Sequence, residues 1–220
     1  MTINIFKVIK NLLGKTGDMP KIFTDENRDE IRMKLLNNGF KMLKKGGLSA
    51  VNIDKLTEET YIAKGTFYNL FENKSEFMYH MMLHERNRAK EKLFSYLNSS
   101  GKLTRDSLHD YLKWLSAENP NVFAFLNDAE KKRLISSWSD KYIENEDNDS
   151  KTMHMLIALL EPPATAPDWK LACNYMKLIA VSLTTKNIFI KENYDAMLDS
   201  LIGQIVDILY GKQITSPGNQ

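Results

Sequence analysis

The sequence predicts an all-α protein, on three observations. Apolar residues recur at helical spacing along most of the chain. Glycine and proline are few, ten and six in 220 residues, and they cluster between the periodic segments. No stretch shows the strict apolar–polar alternation of a half-buried strand. With 43% hydrophobic and 26% charged residues, the chain has the composition of a folded globular protein rather than a disordered one.

The composition also excludes several classes of protein. The single cysteine, Cys173, leaves no internal disulfide framework and no zinc site built from clustered cysteines. No uninterrupted apolar run reaches the roughly 18 residues of a membrane span. The first residues place Lys7 and Lys10 among apolar side chains and lack a small-residue cleavage site, so we expect no signal peptide. We therefore expect a cytoplasmic protein with no membrane partner.

The pattern of caps and breaks divides the chain into three segments. Residues 1–23 are an N-terminal extension that breaks at glycines and a proline. Residues 24–74 are a small helical domain, and residues 75–220 are a larger one. The periodicity predicts helices with these approximate limits: 24–47, 53–60, 64–71, 75–96, 104–117, 121–126, 128–145, 151–160, 168–190 and 193–210.

The small domain has the arrangement of a helix-turn-helix. Two short helices surround a tight turn and follow a longer amphipathic helix. Asn52 is placed to cap the first short helix, and the backbone N–H groups there would suit a phosphate. The second short helix carries its most distinctive residues in its first turns: Ala63, Lys64, Gly65, Thr66, Phe67, Tyr68, Asn69 and Phe71, followed by Lys74.

This stretch resembles the DNA-binding domain of the tetracycline-repressor (TetR) family of bacterial transcription regulators. The family pattern is a small residue, Lys, Gly, Thr, an aromatic residue, Tyr, two variable residues, Phe and a nearby Lys. The resemblance covers about residues 24–80 and is carried by these positions: Ala63, Lys64, Gly65, Thr66, Phe67, Tyr68, Phe71 and Lys74.

The resemblance implies a DNA-binding domain in which the second short helix enters the major groove. A helix of this kind places its N-terminal residues near base edges, and a glycine there lets the backbone approach DNA closely. Thr66 suits a base or a phosphate, and the Tyr68 hydroxyl could reach a phosphate. The expected DNA-binding residues are Asn52, Ala63, Lys64, Gly65, Thr66, Tyr68, Asn69 and Lys74.

Two positions depart from the family pattern. Tyr61 stands in the turn where the family usually has glycine, so the turn is either differently shaped or strained, because a positive φ is unfavourable for tyrosine. Ala63 stands where the family often has Ser or Thr as a helix cap, which removes a side-chain cap worth about 0.5–2 kcal/mol.

The resemblance further implies a homodimeric regulator, more often a repressor than an activator, that a small-molecule effector releases from pseudo-palindromic double-stranded operator DNA. Aromatic and Met residues of the larger domain would line the effector pocket, for which the candidates are Asp110, Trp114, Phe123, Trp138, Tyr142 and Tyr175. The last helix has an apolar stripe too broad for one neighbour, and two such helix pairs would form a four-helix bundle. The candidates for this dimer interface are Leu198, Ile202, Ile205 and Leu209.

Other functions have weaker support in the sequence. Residues 1–74 hold 13 Lys and Arg against 9 Asp and Glu, whereas the remainder holds 17 against 19, a modest asymmetry that suits phosphate binding. Glu76, His80 and His84 have a spacing that can bind zinc, but they lack the metalloprotease pattern, and we expect no metal site. No nucleophile motif or phosphate-binding glycine loop is evident, so we expect neither a cofactor nor enzymatic activity. A helical protein-interaction adaptor without DNA binding, and less plausibly a metal-dependent enzyme, are the alternatives.

Overall fold

The computed structural model describes residues 25–118, 121–138 and 148–211, and the secondary structure of these residues is helical. The predicted extension 1–23, the cap at Thr24 and the pocket candidate Tyr142 lie outside the described residues. The α-helices of the described part are α1 Asp25–Ala50, α2 Ile53–Thr60, α3 Lys64–Leu70, α4 Lys74–Phe94, α5 Arg105–Glu118, α6 Asp128–Ser136, α7 Asn148–Leu159, α8 Trp169–Thr184 and α9 Tyr194–Tyr210.

The all-α prediction is confirmed. Short 3₁₀ turns lie at Val122–Phe125, Lys186–Ile188 and Lys191–Asn193. The one β-bridge among the described residues joins Leu103 to Leu160. None of the described helices is long and apolar enough to cross a membrane.

The predicted helix limits are right at most starts and wrong at some ends. α1 does not end at the two glycines but kinks there, with Gly47 at φ 68°. α6 ends at Ser136, well before the predicted residue 145, and Trp138 turns into the protein interior. α8 ends at Thr184 rather than at residue 190, and the Thr184 and Thr185 hydroxyls both donate to the Val181 carbonyl in its last turn.

Two hydrophobic cores stabilise the chain. The first joins α1, α2, α3 and the first two turns of α4 to the segment 122–138, which contributes Val122, Leu126, Leu134 and Trp138. The second lies between the end of α4 and helices α5, α7, α8 and α9. We call α1–α3 the head and α5–α9 the body. The predicted boundary at residue 74 falls inside the first core, which includes Phe77, Met78 and Met81 of α4.

A close contact between α1 and α4 fixes the head on the connecting helix. A Cβ atom built at Gly39 would lie 2.5 Å from Phe77 Cζ and 2.8 Å from Met81 Cε. Only glycine fits this crossing without displacing the aromatic cluster that Phe67, Phe71 and Phe77 form at ring distances of 5.0–5.3 Å.

Candidate nucleic-acid interface

The turn between α2 and α3 has the geometry that a helix-turn-helix needs. Asn52 caps α2, because its side chain accepts a hydrogen bond from the Lys55 backbone N–H at 3.1 Å. The predicted cap is therefore confirmed. At the other end of α2 the chain turns at Tyr61, whose backbone N–H donates to the Glu58 carbonyl at 3.1 Å.

Tyr61 adopts the left-handed conformation that the sequence made questionable. Its φ is 58° and its ψ is 42°, and it is the one non-glycine residue with positive φ in the described part of the chain. Its side chain is 93% exposed. The turn thus keeps the shape that glycine would favour, at a cost of about 1–2 kcal/mol for a residue with a Cβ atom.

Helix α3 is anchored on one side and open on the other. Phe67 and Leu70 are buried in the first core. Ala63 is the N-cap and supplies no side-chain cap, as the sequence indicates. Thr66 is half-buried, and the exposed face consists of Ala63, Lys64, Gly65, Tyr68 and Asn69. Five of the predicted DNA-binding residues are therefore accessible on α3 itself.

Gly65 lies at the most open point of this face. No heavy atom of the chain comes within 4 Å of a Cβ atom built there. Its φ is not positive. The fold therefore does not require glycine at this position, whereas it does at Gly39. The missing side chain at Gly65 affects only how closely another molecule can approach the helix.

Lys64 makes an ion pair on the same surface. Its Nζ lies 2.5 Å from Asp54 Oδ1 in the first turn of α2. The hydrogen bond to this carboxylate raises the pKa of Lys64, so the ammonium group stays charged. Both side chains are more than half exposed, so the pair contributes little to stability and is open to exchange with a phosphate.

Lys74 has a structural role beyond the one that the motif suggests. Its Nζ donates to the Leu48 carbonyl at 2.8 Å and ties α4 to the last turn of α1, beyond the kink at the two glycines. Burial lowers the pKa of Lys74, and the positive charge of Arg133 lowers it further. A substitution here would therefore alter the head itself as well as any phosphate contact.

Two arginines of α1 hold the end of the recognition helix, and the sequence analysis did not identify them. Arg28 donates to the Asn69 carbonyl at 3.2 Å, and Arg32 donates to the Leu70 carbonyl at 3.3 Å. The Arg32 guanidinium also lies 4.7 Å from the Phe71 ring centroid. Cations at a helix C-terminus are favoured by the helix dipole. Because residues four apart lie on the same side of a helix, the spacing of these two arginines could have indicated that they contact a common neighbour.

Comparison with known proteins identifies the fold. No protein-family model and no curated protein matches this chain. A TetR-family transcriptional regulator from Haemophilus influenzae is 16% identical, with a TM-score of 0.53, over 83% of this chain and 97% of that one. A TetR-like transcriptional regulator from a Rhodococcus species is 16% identical, with a TM-score of 0.50, over 89% of this chain and all of that one.

This chain has the TetR-family fold. The similarity extends beyond the helix-turn-helix, since more than four fifths of the chain is covered in both comparisons. The TetR fold therefore accounts for the body as well as the head. At 16% sequence identity, the roles of individual residues have to be inferred from the geometry of this chain.

Within the TetR fold, the predicted effector residues do not come together. Asp110 is exposed, and Trp114 stacks on Tyr111 with its ring 5.6 Å from the Arg88 guanidinium. Phe123 and Trp138 contact each other at 5.9 Å and pack against the first core. Tyr175 packs separately, against the second core.

A cavity of about 160 Å³ lies instead between α5, α8 and α9. Its walls are almost wholly apolar, and none of the five described candidates lines it. The residues that surround it are Leu112, Leu115, Ser116, Asn121, Met176, Ile179, Ala180, Leu183 and Ile205. Of the three helices around this cavity, α5 and α8 carry predicted effector residues, but with side chains on other faces, and α9 carries none.

The predicted dimer residues lie mostly inside the chain. Ile202, Ile205 and Leu209 are fully buried in the second core, and Leu198 is half-buried. Ile205 also lines the cavity. A side chain buried within its own chain offers no surface to a second copy, so three of the four candidates stabilise the body instead.

The zinc pattern forms no metal site in the described part of the chain. His80 Nε2 lies 3.7 Å from Glu76 Oε1, whereas His84 Nε2 is 2.9 Å from Asn37 Oδ1. No group of three or more His, Cys, Asp or Glu residues among those described is arranged to hold an ion.

Proposed function

We propose that this protein is a DNA-binding transcriptional regulator whose helix α3 enters the major groove. The observation that carries the proposal is the open face of α3, on which Lys64 and Gly65 lie at the N-terminal end of a helix anchored by Phe67 and Leu70, with half-buried Thr66 beside them. N-terminal residues of a recognition helix are the ones that reach base edges.

The residues of this face have distinct roles in the proposed complex. Thr66 contacts a base edge, because its hydroxyl and methyl suit major-groove atoms and thymine methyl groups. Lys64 exchanges Asp54 for a phosphate, and Tyr68, which is 48% exposed, reaches another through its hydroxyl. Gly65 allows the helix backbone to come close to the groove wall.

The proposal includes a homodimer built on the outer face of α8. Leu171, Leu178 and Val181 are exposed by 43%, 49% and 57% and lie at helical spacing on one side of α8. Half-buried Met197, Leu201 and Ile208 of α9 extend the apolar surface. Pairing two such surfaces about a two-fold axis gives a four-helix bundle. To read successive major grooves, the two recognition helices of such a dimer must lie about 34–36 Å apart.

The proposal also includes release of DNA by a small apolar effector. The cavity between α5, α8 and α9 is the candidate site, with Ser116 and Asn121 as its polar groups. Apolar walls with a few polar groups are typical of small-molecule sites. A ligand here would act as a release signal only by binding the DNA-free state better than the DNA-bound state.

Selection from a random duplex pool tests this function. The full-length protein is incubated with the pool at low salt, and the retained fragments are sequenced. We expect a pseudo-palindromic site. Thr66→Ala should weaken binding to that site more than to a duplex of mixed sequence, and Lys64→Ala should weaken both by similar factors. Wild-type protein that retains no duplex at low salt would exclude this function and favour the adaptor.

A further inference from the structure

We propose that Arg133, on α6 of the body, makes a second contact with the DNA phosphate backbone, beside Lys74. The inference rests on the proposed function and adds a partner surface outside the helix-turn-helix. It follows from three features: the position of α6, the charges around it and the charge balance of the N-terminal part of the chain.

Helix α6 is fixed against the first turn of α4. The Ser137 and Ser75 hydroxyls are hydrogen-bonded to each other. The Trp138 indole N–H donates to the Ser75 carbonyl at 3.1 Å, and its ring lies 5.5 Å from Tyr79. Because Lys74 is the first residue of α4, these contacts hold the side of α6 that carries Arg133 next to Lys74.

Two cations face one pocket at this junction. The pocket has a volume of about 260 Å³ and is lined by Leu48, Lys74, Ser75, Met78, Arg133, Leu134 and Ser137. Arg133 is exposed, and no described carboxylate forms an ion pair with it. Glu130, the nearby acid, is held in the capping box of α6. The charge of Glu130 offsets part of the repulsion between the two cations at Lys74. A phosphate at the pocket would offset it further, and a guanidinium matches the geometry of a phosphate.

The charge balance of the N-terminal part of the chain indicates what a contact from the body would add. Residues 1–74 hold 13 Lys and Arg against 9 Asp and Glu, a modest net positive charge. On α2, Asp54, Glu58 and Glu59 are all exposed. Affinity for duplex DNA rises with each phosphate that is neutralised. With so modest an excess of positive charge, one more cation adds appreciably to phosphate binding, and the fold places Arg133 beside Lys74.

The neighbouring lysines of α6 separate a specific contact from general charge. Lys131 pairs with Asp128 at 3.4 Å. Lys132 is exposed like Arg133 but does not line the pocket. Lys132→Ala therefore removes the same charge from the same helix on a different face, which makes it a matched control.

The test measures binding of the full-length protein to a fluorescent duplex of mixed sequence over a range of salt concentrations. Arg133→Ala should weaken binding about three- to tenfold at low salt and lower the slope of log K against log salt by about 1. Arg133→Lys should largely restore the slope, and Lys132→Ala should leave it near the wild-type value. Thermal unfolding should be unchanged in all three variants, because neither exposed side chain supports the core.

Two results would overturn the inference alone. One is an Arg133→Ala variant with the wild-type affinity and slope. The other is an equal loss in Arg133→Ala and Lys132→Ala, which would indicate a diffuse charge effect. Wild-type protein without salt-dependent duplex binding would overturn the inference together with the proposed function.

Discussion

Adding one methyl group at each of two glycines separates the requirements of the fold from those of DNA binding. At Gly65 the new Cβ atom would meet nothing within 4 Å. At Gly39 it would lie 2.5 Å from Phe77 Cζ and 2.8 Å from Met81 Cε, distances at which an atom must move. Gly65→Ala should therefore lose DNA binding but not stability, and Gly39→Ala should lose stability.

The magnitudes follow from these surroundings. Alanine is favoured over glycine by about 1 kcal/mol in a helix interior, so Gly65→Ala should match or exceed the wild-type free energy of unfolding. Overpacking a core costs about 1–3 kcal/mol, which the same propensity only partly offsets, so Gly39→Ala should be less stable. On DNA, a methyl group at Gly65 should prevent close approach and disturb the contacts beside it. Loss of one good base contact is worth about 1–3 kcal/mol.

Urea unfolding and fluorescence anisotropy on the selected duplex would measure both quantities. We expect Gly65→Ala to bind about 5- to 150-fold more weakly at wild-type stability. Gly39→Ala should bind DNA at near wild-type affinity per folded molecule while unfolding at lower urea. If Gly65→Ala bound the duplex as tightly as the wild type, the N-terminal turn of α3 would not be in the groove and the proposed docking would be refuted.

Three further predictions concern the turn, the body and the dimer. Tyr61→Gly should stabilise the protein by about 1 kcal/mol in urea unfolding, because glycine relieves the positive φ, whereas Tyr61→Ala should give no gain. Burial raises the pKa of Tyr111 to about 12, so the contribution of this residue to stability is complete below pH 10 and is lost as the pH rises towards 12. The Tyr111→Phe variant should therefore lose less stability between pH 10 and pH 12 than the wild type. Identical pH profiles of the two proteins would contradict the raised pKa of Tyr111. Val181→Glu should convert a dimer into a folded monomer in sedimentation experiments, whereas Ile205→Glu should unfold the chain; a wild type that is monomeric at micromolar concentration would contradict the dimer.

The helix-turn-helix was predictable because its signals are local. The cap at Asn52, the turn at Tyr61 and the sequence from Ala63 to Phe71 lie within about twenty residues. Each signal depends on backbone geometry that the residue itself dictates. The structure accordingly confirms the Asn52 cap and the missing side-chain cap at Ala63, and it decides the open question at Tyr61 in favour of the left-handed turn.

The proposed pocket and the proposed dimer surface were not predictable at residue level because they depend on helix rotation. Successive residues differ by about 100° around a helix axis, and an apolar stripe does not reveal which neighbour covers it. The stripe of α9 is broad, and the body buries Ile202 and Ile205. The uncovered apolar face proved to be on α8, at Leu178 and Val181. Only long-range packing decides between these alternatives.

The shared core of the head and the segment 122–138 bears on how an effector could act. Asn121 lines the cavity, and the next residue, Val122, is buried in the first core with α1 and α4. A cavity of about 160 Å³ is smaller than the 300–1,000 Å³ typical of ligand sites, so a ligand of ordinary size must expand it. Burial of one Val or Leu side chain is worth about 1.5–3 kcal/mol, which is comparable to a typical allosteric coupling of about 1–3 kcal/mol. Loosening a single side chain such as Val122 therefore involves a free energy comparable to such a coupling. A ligand can supply that free energy only through its preference for the DNA-free state, whatever its total affinity.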